Sequence, residues 1–196
     1  MRLARRLLKS SIFIDEDNAK RHLQHLGIEG FLSWLAFYKM VENILKENFG
    51  SSMKTEFNFY GALPPKDMEK MYSMRHRFFS KLGYDGIRVS LGECHRLPDG
   101  SITQKQVDLL IALDILQYSM YKYDYIILFS SDADFVPALQ RARNNGSHTI
   151  AIMSKKSPAF FTKKHINEVL YLEDIILKMD NKTFIYTNKT QLDEIN

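Results

Sequence analysis

The chain has 196 residues, of which 45% are hydrophobic and 26% charged, with a net charge of +4 and a single cysteine. Those figures suit one globular domain with a sizeable core, and they exclude an intramolecular disulfide and a cysteine-built zinc cage. No apolar run is long enough to span a bilayer, and the mild basic excess favours polyanion partners no more than it favours an ordinary solvated surface.

Residues 1–9 (MRLARRLLK) are basic, and no signal-peptide core follows them, which together with the lone Cys94 reads as a cytoplasmic protein. Ser11-Ile12-Phe13-Ile14 is apolar and ends in Asp15-Glu16-Asp17-Asn18. This pattern predicts a strand buried on both faces that delivers acids at its carboxyl end. Phe31, Trp34, Leu35, Tyr38, Val41 and Leu45 recur at helical spacing and predict a helix over 29–46, with Gly50 just beyond it. Trp34 on that stripe reads as core. Residues 54–60 read as the second strand, and Pro64-Pro65 as the start of a helix over 66–82. Its Arg75-His76-Arg77-Phe78-Phe79 mixes cations with aromatics, a pattern of solvated helix faces more often than of nucleic-acid platforms.

Residues 87–91 read as a third strand, and 92–103 as a long polar loop around Pro98-Asp99-Gly100-Ser101. The adjacent Cys94-His95 is a poor metal or nucleophile signal, because neighbours in sequence seldom converge and no second ligand pair exists. The span 104–121 is apolar nearly all round, which predicts a helix buried between layers. Asp108 lies in its first turn on the face of Ala112 and Ile115, whereas Asp114 is rotated away. Lys105, just before Asp108, suits pairing with that acid or holding a phosphate.

The most informative stretch is 125–135, YIILFSSDADF. A buried strand stops at Ser130-Ser131, and Asp132 and Asp134 follow in the crevice where open α/β sheets bind ligands. Asp132 is expected to lie nearest Asp15, and Asp134 to act as a helix cap or a ligand. A helix over 135–145 ends at Asn145-Gly146, and a strand over 148–153 follows. The basic stretch 154–165 holds Lys155, Lys156, Lys163 and Lys164, and a short strand over 168–172 and a helical turn over 175–179 follow it. The reading divides the chain into a basic segment 1–10, a domain 11–179 and a polar tail 180–196. Strand and helix alternate throughout, which implies an α/β fold with a mostly parallel sheet and helices on both faces.

Three separate segments therefore send carboxylates to one edge: Asp15, Asp108, and Asp132 with Asp134. Such a cluster repels itself unless a proton or cation sits among its members. Mg²⁺ or Mn²⁺, hard cations with oxygen ligands, would match it and could act on a phosphodiester.

Three pieces resemble the NYN domain, in the LabA-like branch of the PIN-like nuclease superfamily. They are Ile12-Phe13-Ile14-Asp15-Glu16-Asp17-Asn18, Lys105-Gln106-Val107-Asp108 and Leu128-Phe129-Ser130-Ser131-Asp132-Ala133-Asp134-Phe135. The resemblance spans 11–172 and implies a three-layer, Rossmann-like PIN-type fold and a metal-dependent ribonuclease acting on RNA. It implies Asp15, Asp108, Asp132 and Asp134 as catalytic and metal-binding acids, with Mg²⁺ or Mn²⁺ as cofactor. Asn18, Lys105, Ser130 and Ser131, the polar positions of these motifs, are expected to hold substrate. Ser131 and Ala133 depart from the family's common glycines, and Asp17 replaces a frequent serine. Two rival readings stand beside this one: a NYN-like module that binds RNA or protein without cutting, and a haloacid-dehalogenase-type phosphatase with Asp15 as nucleophile. No membrane partner is expected, and self-association stays open.

Overall fold

The computed structural model describes residues 6–157 and 160–186. The apolar run around Ile12 forms β1 (Leu8–Asp15), the middle strand of a seven-stranded sheet. After it come α1 (Glu16–Gln24), β2 (Ile28–Phe31), α2 (Trp34–Phe49), β3 (Met53–Leu63) and α3 (Glu69–Tyr84). Next are β4 (Arg88–Arg96), β5 (Ile102–Lys105), α4 (Val107–Met120), β6 (Tyr125–Phe129), a 3-10 turn (Ala133–Phe135) and α5 (Val136–Asn144). The chain continues through β7 (His148–Met153), α6 (Phe160–His165), β8 (Glu168–Tyr171), α7 (Leu172–Ile176), a second 3-10 turn (Asn181–Thr183) and β9 (Phe184–Tyr186).

The sheet order is β5-β4-β3-β1-β6-β7-β8, parallel except for β4 against β5. Ile12 pairs with Ile127 and Ile14 with Phe129, so the two acid-tipped strands are neighbours in the interior of the sheet. Alternation along β1 splits the core in two. Ile12 and Ile14, with Phe59, Ile127, Phe129, Ile150 and Ile152, pack under α1, α2, α3 and α7. Phe13, with Tyr60, Ile126, Leu128, Ala151 and Met153, packs under α4 and α5. Both faces are covered, which is why these strands are apolar throughout. Trp34 is buried, edge-on to Phe31, Phe37 and Phe59, as its stripe predicts.

Several elements differ from the sequence reading. The helix expected over 29–46 begins at Trp34, where the Ser33 hydroxyl accepts from Ala36 N–H, and Ile28–Phe31 is a strand instead. The helix expected from Pro64-Pro65 begins at Glu69. The supposed loop 92–103 is largely a hairpin on the sheet's edge, where β4 and β5 pair antiparallel; an edge strand with polar side chains lacks the apolar run that marks an interior one. Cys94 and His95 are consecutive on β4 and point to opposite faces, which removes them as a joint site.

The helix α4 is covered by the sheet and by α5 but not on its outer face: Leu109 and Leu113 are 59% and 53% exposed, so it is not buried all round. Beyond residue 180 the chain is not a loose tail as far as it is described. Phe184 is buried against Phe31, and β9 pairs antiparallel with β2. The remainder of the expected tail, 187–196, and residues 1–5 of the basic start lie outside the described residues. No helix among the described residues is long and apolar enough to cross a membrane.

Candidate active site

Asp15 closes β1 and caps α1, its Oδ1 accepting from Asn18 N–H at 3.3 Å. Its Oδ2 accepts from the Ser130 hydroxyl at 3.1 Å, across the β1–β6 pairing. Two donors stabilise the charged form, yet burial outweighs them and raises the carboxyl to about 6; the charges of Asp108 and Asp17 add to the rise.

Asp108 reaches the same edge from α4. The junction that carries it is built tightly: Gln106 takes the left-handed φ of 73° between β5 and α4. Gly92 on β4 leaves no Cβ where the Lys105 carbonyl oxygen and the Val107 side chain come close. The Asp108 carboxyl is raised by burial first, then by the charges of Asp132, Asp134 and Asp17, while Arg21 pulls it down. Asp108 thus senses acids on both sides. The charges of Asp108 and Asp17 add to the rise of Asp15, and those of Asp132 and Asp134 to the rise of Asp108, so Asp108 links the two strand ends electrostatically.

Asp132 caps the 3-10 turn, with Oδ1 accepting from Asp134 N–H at 2.9 Å. Its own N–H donates to Ser130 Oγ at 3.2 Å. Ser130 therefore bridges Asp15 and the Asp132 backbone. Asp134 is the capped residue, not a cap, and its side chain is exposed. Ser131 donates through N–H at 3.0 Å and lies with Oγ at 3.3 Å from Asn18 Oδ1. Asp15, Asp108, Asp132 and Asp134 thus share the carboxyl edge; Asn18, Ser130 and Ser131 link the ends of β1 and β6, and Asp108 is related to the other acids through charge alone. Lys105 ends β5, and its ammonium forms no ion pair with a described residue.

The other basic positions are mostly engaged. Arg75 clasps the buried Glu16 carboxylate with both terminal nitrogens and lies 4.4 Å from the Phe79 ring centre. Arg96 pairs with Asp67 at 2.8 Å and Lys155 with Asp174 at 2.5 Å. Asp114, although rotated away as expected, is no idle surface acid: Tyr60 donates to it at 2.6 Å and Arg88 lies 3.4 Å away.

The donor set suits a hard divalent cation, because every candidate ligand is a carboxylate oxygen, and burial first and the neighbouring acids second disfavour the charged forms of Asp15 and Asp108 when no cation offsets them. Among the described residues no three of His, Cys, Asp and Glu stand close enough to ligate one ion together. An ion that keeps several of its own waters needs only one or two direct carboxylates.

A model of the NYN domain family matches residues 9–172. The chain belongs to the NYN domain family. Its NYN domain stands in the PIN-like nuclease superfamily, and the three-layer architecture agrees with a PIN-type fold. Membership also leaves the dehalogenase-like Asp15-x-Asp17 spacing without support. Among solved structures, a protein of unknown function from Vibrio parahaemolyticus RIMD 2210633 superposes with a TM-score of 0.67 at 16% identity. The superposition covers 93% of this chain and 99% of that one, and it speaks for the fold alone. No curated protein matches the chain.

The sequence reading of the NYN domain passed over α1, and with it Arg21 and His22. Asp15 followed by Ala19 and Leu23 at helical spacing is the signal that marks this capped amphipathic helix.

Proposed function

We propose that this NYN domain is a metal-dependent ribonuclease that hydrolyses RNA phosphodiester bonds at the carboxyl edge of its sheet. The observation that carries the proposal is that Asp15, Asp17, Asp108, Asp132 and Asp134, from β1, α1, α4 and the end of β6, lie near enough for their charges to add to the effect of burial on Asp15 and Asp108. Asp15, Asp108, Asp132 and Asp134 would hold Mg²⁺ or Mn²⁺, which supplies charge to offset the acids and the phosphate and acidifies water.

The chain's own residues do the rest. Ser130 holds the Asp15 carboxylate and the Asp132 backbone in one geometry. Without a cation the buried Asp15 carboxyl is raised to about 6, and a bound divalent ion would favour its charged form. Asn18, Lys105 and Arg21 are the donors beside the acids that can meet phosphate oxygens. NYN membership supports RNA as the substrate class.

The test incubates the full chain with a mixed RNA pool in Mn²⁺, in Mg²⁺ and in chelator. Cleavage is expected with metal only, and Asp15→Asn or Asp132→Asn should abolish it while the protein stays folded. Metal should also raise the melting temperature, with about 2.7 kcal/mol of stabilisation at a hundredfold excess over Kd, and less in Asp15→Asn. Glu47→Gln, on a surface pair with Lys178, is the control. RNA that is retained but never cut would replace the proposal with a binding module. Metal-dependent cutting by Asp15→Asn at the wild-type rate would overturn the acidic-cluster mechanism.

A further inference from the structure

His22 lies one helical turn after Asn18 on α1, almost fully buried, with its ring stacked on Phe129 at 6.0 Å and 23°. Its Nδ1 is 3.3 Å from Ser154 N, which can only donate, so Nδ1 is the bare acceptor. The hydrogen then sits on Nε2, which is 3.0 Å from Ser131 Oγ and donates to it. Ser131 is left with its own hydroxyl hydrogen, and the acceptor within reach is Asn18 Oδ1 at 3.3 Å, beside the Ser131 N–H on that same oxygen at 3.0 Å. Two donors on one oxygen fix which end of the carboxamide is which. The Asn18 Nδ2 group makes no hydrogen bond with a described residue, although the residue as a whole is only 7% exposed. Asn18 N–H meanwhile holds Asp15 Oδ1, which ties this amide to the acidic cluster.

We infer that His22, as its neutral Nε2–H tautomer, is a positioning residue: through Ser131 it locks the Asn18 carboxamide so that Nδ2 faces outward as a donor to a phosphate oxygen. The phosphate part rests on the ribonuclease reading; the amide orientation does not. Burial and the nearby His25 and Arg21 disfavour a charged ring, lowering His22 to about 4 against the opposing pull of Glu173. A charged imidazole would also set an Nδ1–H against the Ser154 N–H. Neutrality is thus built into the packing as well as the hydrogen bonds.

The experiment pairs two readouts. Long-range ¹H–¹⁵N spectra of the wild-type chain in chelator should show His22 as the Nε2–H tautomer near neutral pH, with a distinct Asn18 amide pair. His22→Phe keeps the ring stack but neither hydrogen bond, and its Asn18 amide should lose that fixed position. His22→Gln keeps a donor near Nε2 and should restore it. Binding of a short RNA in chelator should weaken about tenfold in His22→Phe, the loss expected for one hydrogen bond. It should recover in His22→Gln, and Asn18→Ala with His22→Phe should be no weaker than Asn18→Ala alone, within about twofold. A charged or Nδ1–H imidazole at neutral pH, or an unchanged Asn18 amide in His22→Phe, overturns the inference, and so do additive losses in the double variant. A chain that binds no RNA overturns the phosphate role and the ribonuclease reading together, while the spectra still decide the amide orientation.

Discussion

Burial acts on the Asp15 carboxyl more strongly than the two donors that touch it, and this has a measurable sign. Its folded value of about 6 lies above the ordinary 3.8, so the folded state holds the proton more tightly than the unfolded chain. Stability in chelator should therefore fall as pH rises from about 4 to about 6 and then level off. The loss attributable to Asp15 is at most about 3 kcal/mol, from a shift of roughly two units. Asn is an equally good cap through its one oxygen, and its Nδ2 can donate to the Ser130 hydroxyl oxygen in place of the bond Asp15 accepts, so Asp15→Asn should keep α1 intact. Urea titrations in chelator should find this variant more stable than wild type above about pH 6 and flatter across the acid range. A wild-type curve that rises with pH over that interval would show Asp15 stabilised as an anion by something other than its two donors. Asp114 carries the opposite lesson. It anchors α4 to Tyr60 and Arg88, so Asp114→Asn is expected to weaken the fold and is unsuited as a control for cleavage.

At the scale of elements, two glycines set how closely the site's parts approach. A Cβ at Gly61 on β3 would overlap the Glu16 carboxylate and the Phe79 ring, where Glu16 meets Arg75. A Cβ at Gly92 would overlap the Lys105 carbonyl oxygen, which is backbone and cannot swing aside. Gly92→Ala should therefore push the β5–α4 junction outward and cost about 1–3 kcal/mol in urea unfolding. It should also lower the metal-induced gain in melting temperature, because Asp108 moves with that junction. An unchanged gain in a destabilised Gly92→Ala protein would separate Asp108 from the metal site. The left-handed Gln106 belongs to the same junction, and such conformations persist where surrounding structure over-determines them.

Across the whole molecule, the segment after residue 180 returns to the other end of the fold. Leu32 N–H donates to the Thr183 carbonyl oxygen at 2.9 Å, and Phe184 fills a place beside Phe31. Phe31 stacks on Phe37, and Phe37 on Phe129, the last residue before Ser130. An aromatic stack thus runs from the β2–β9 clasp to the strand that carries the acids. The family match ends at residue 172, before this clasp. Phe184→Ala should lower stability by about 3 kcal/mol, the usual cost of emptying a buried aromatic site, as read by urea unfolding. A cost under about 0.5 kcal/mol would mean that the clasp adds little to the fold.

The sequence by itself determined the central strands and their acids, because a strand buried on both faces must be apolar throughout and Asp15 and Asp132 break that run abruptly. It determined the alternation that makes the sheet parallel, and the buried stripe of Trp34, Tyr38, Val41 and Leu45. Only the tertiary structure decided what depends on partners distant in the chain. The β4–β5 hairpin beyond residue 91 carries no apolar run, and β2 and β9, at four and three residues, are too short to signal strands; they are strands because another strand lies beside them. The exposed face of α4 has the same composition as a buried one, and only the absence of a layer above it among the described residues tells them apart. The bond from Ser154 N–H to His22, and those linking Ser131 to His22 and Asn18, join residues more than a hundred positions apart. No local pattern encodes them, because a hydrogen bond of that kind is a property of the folded chain's proximity and not of spacing.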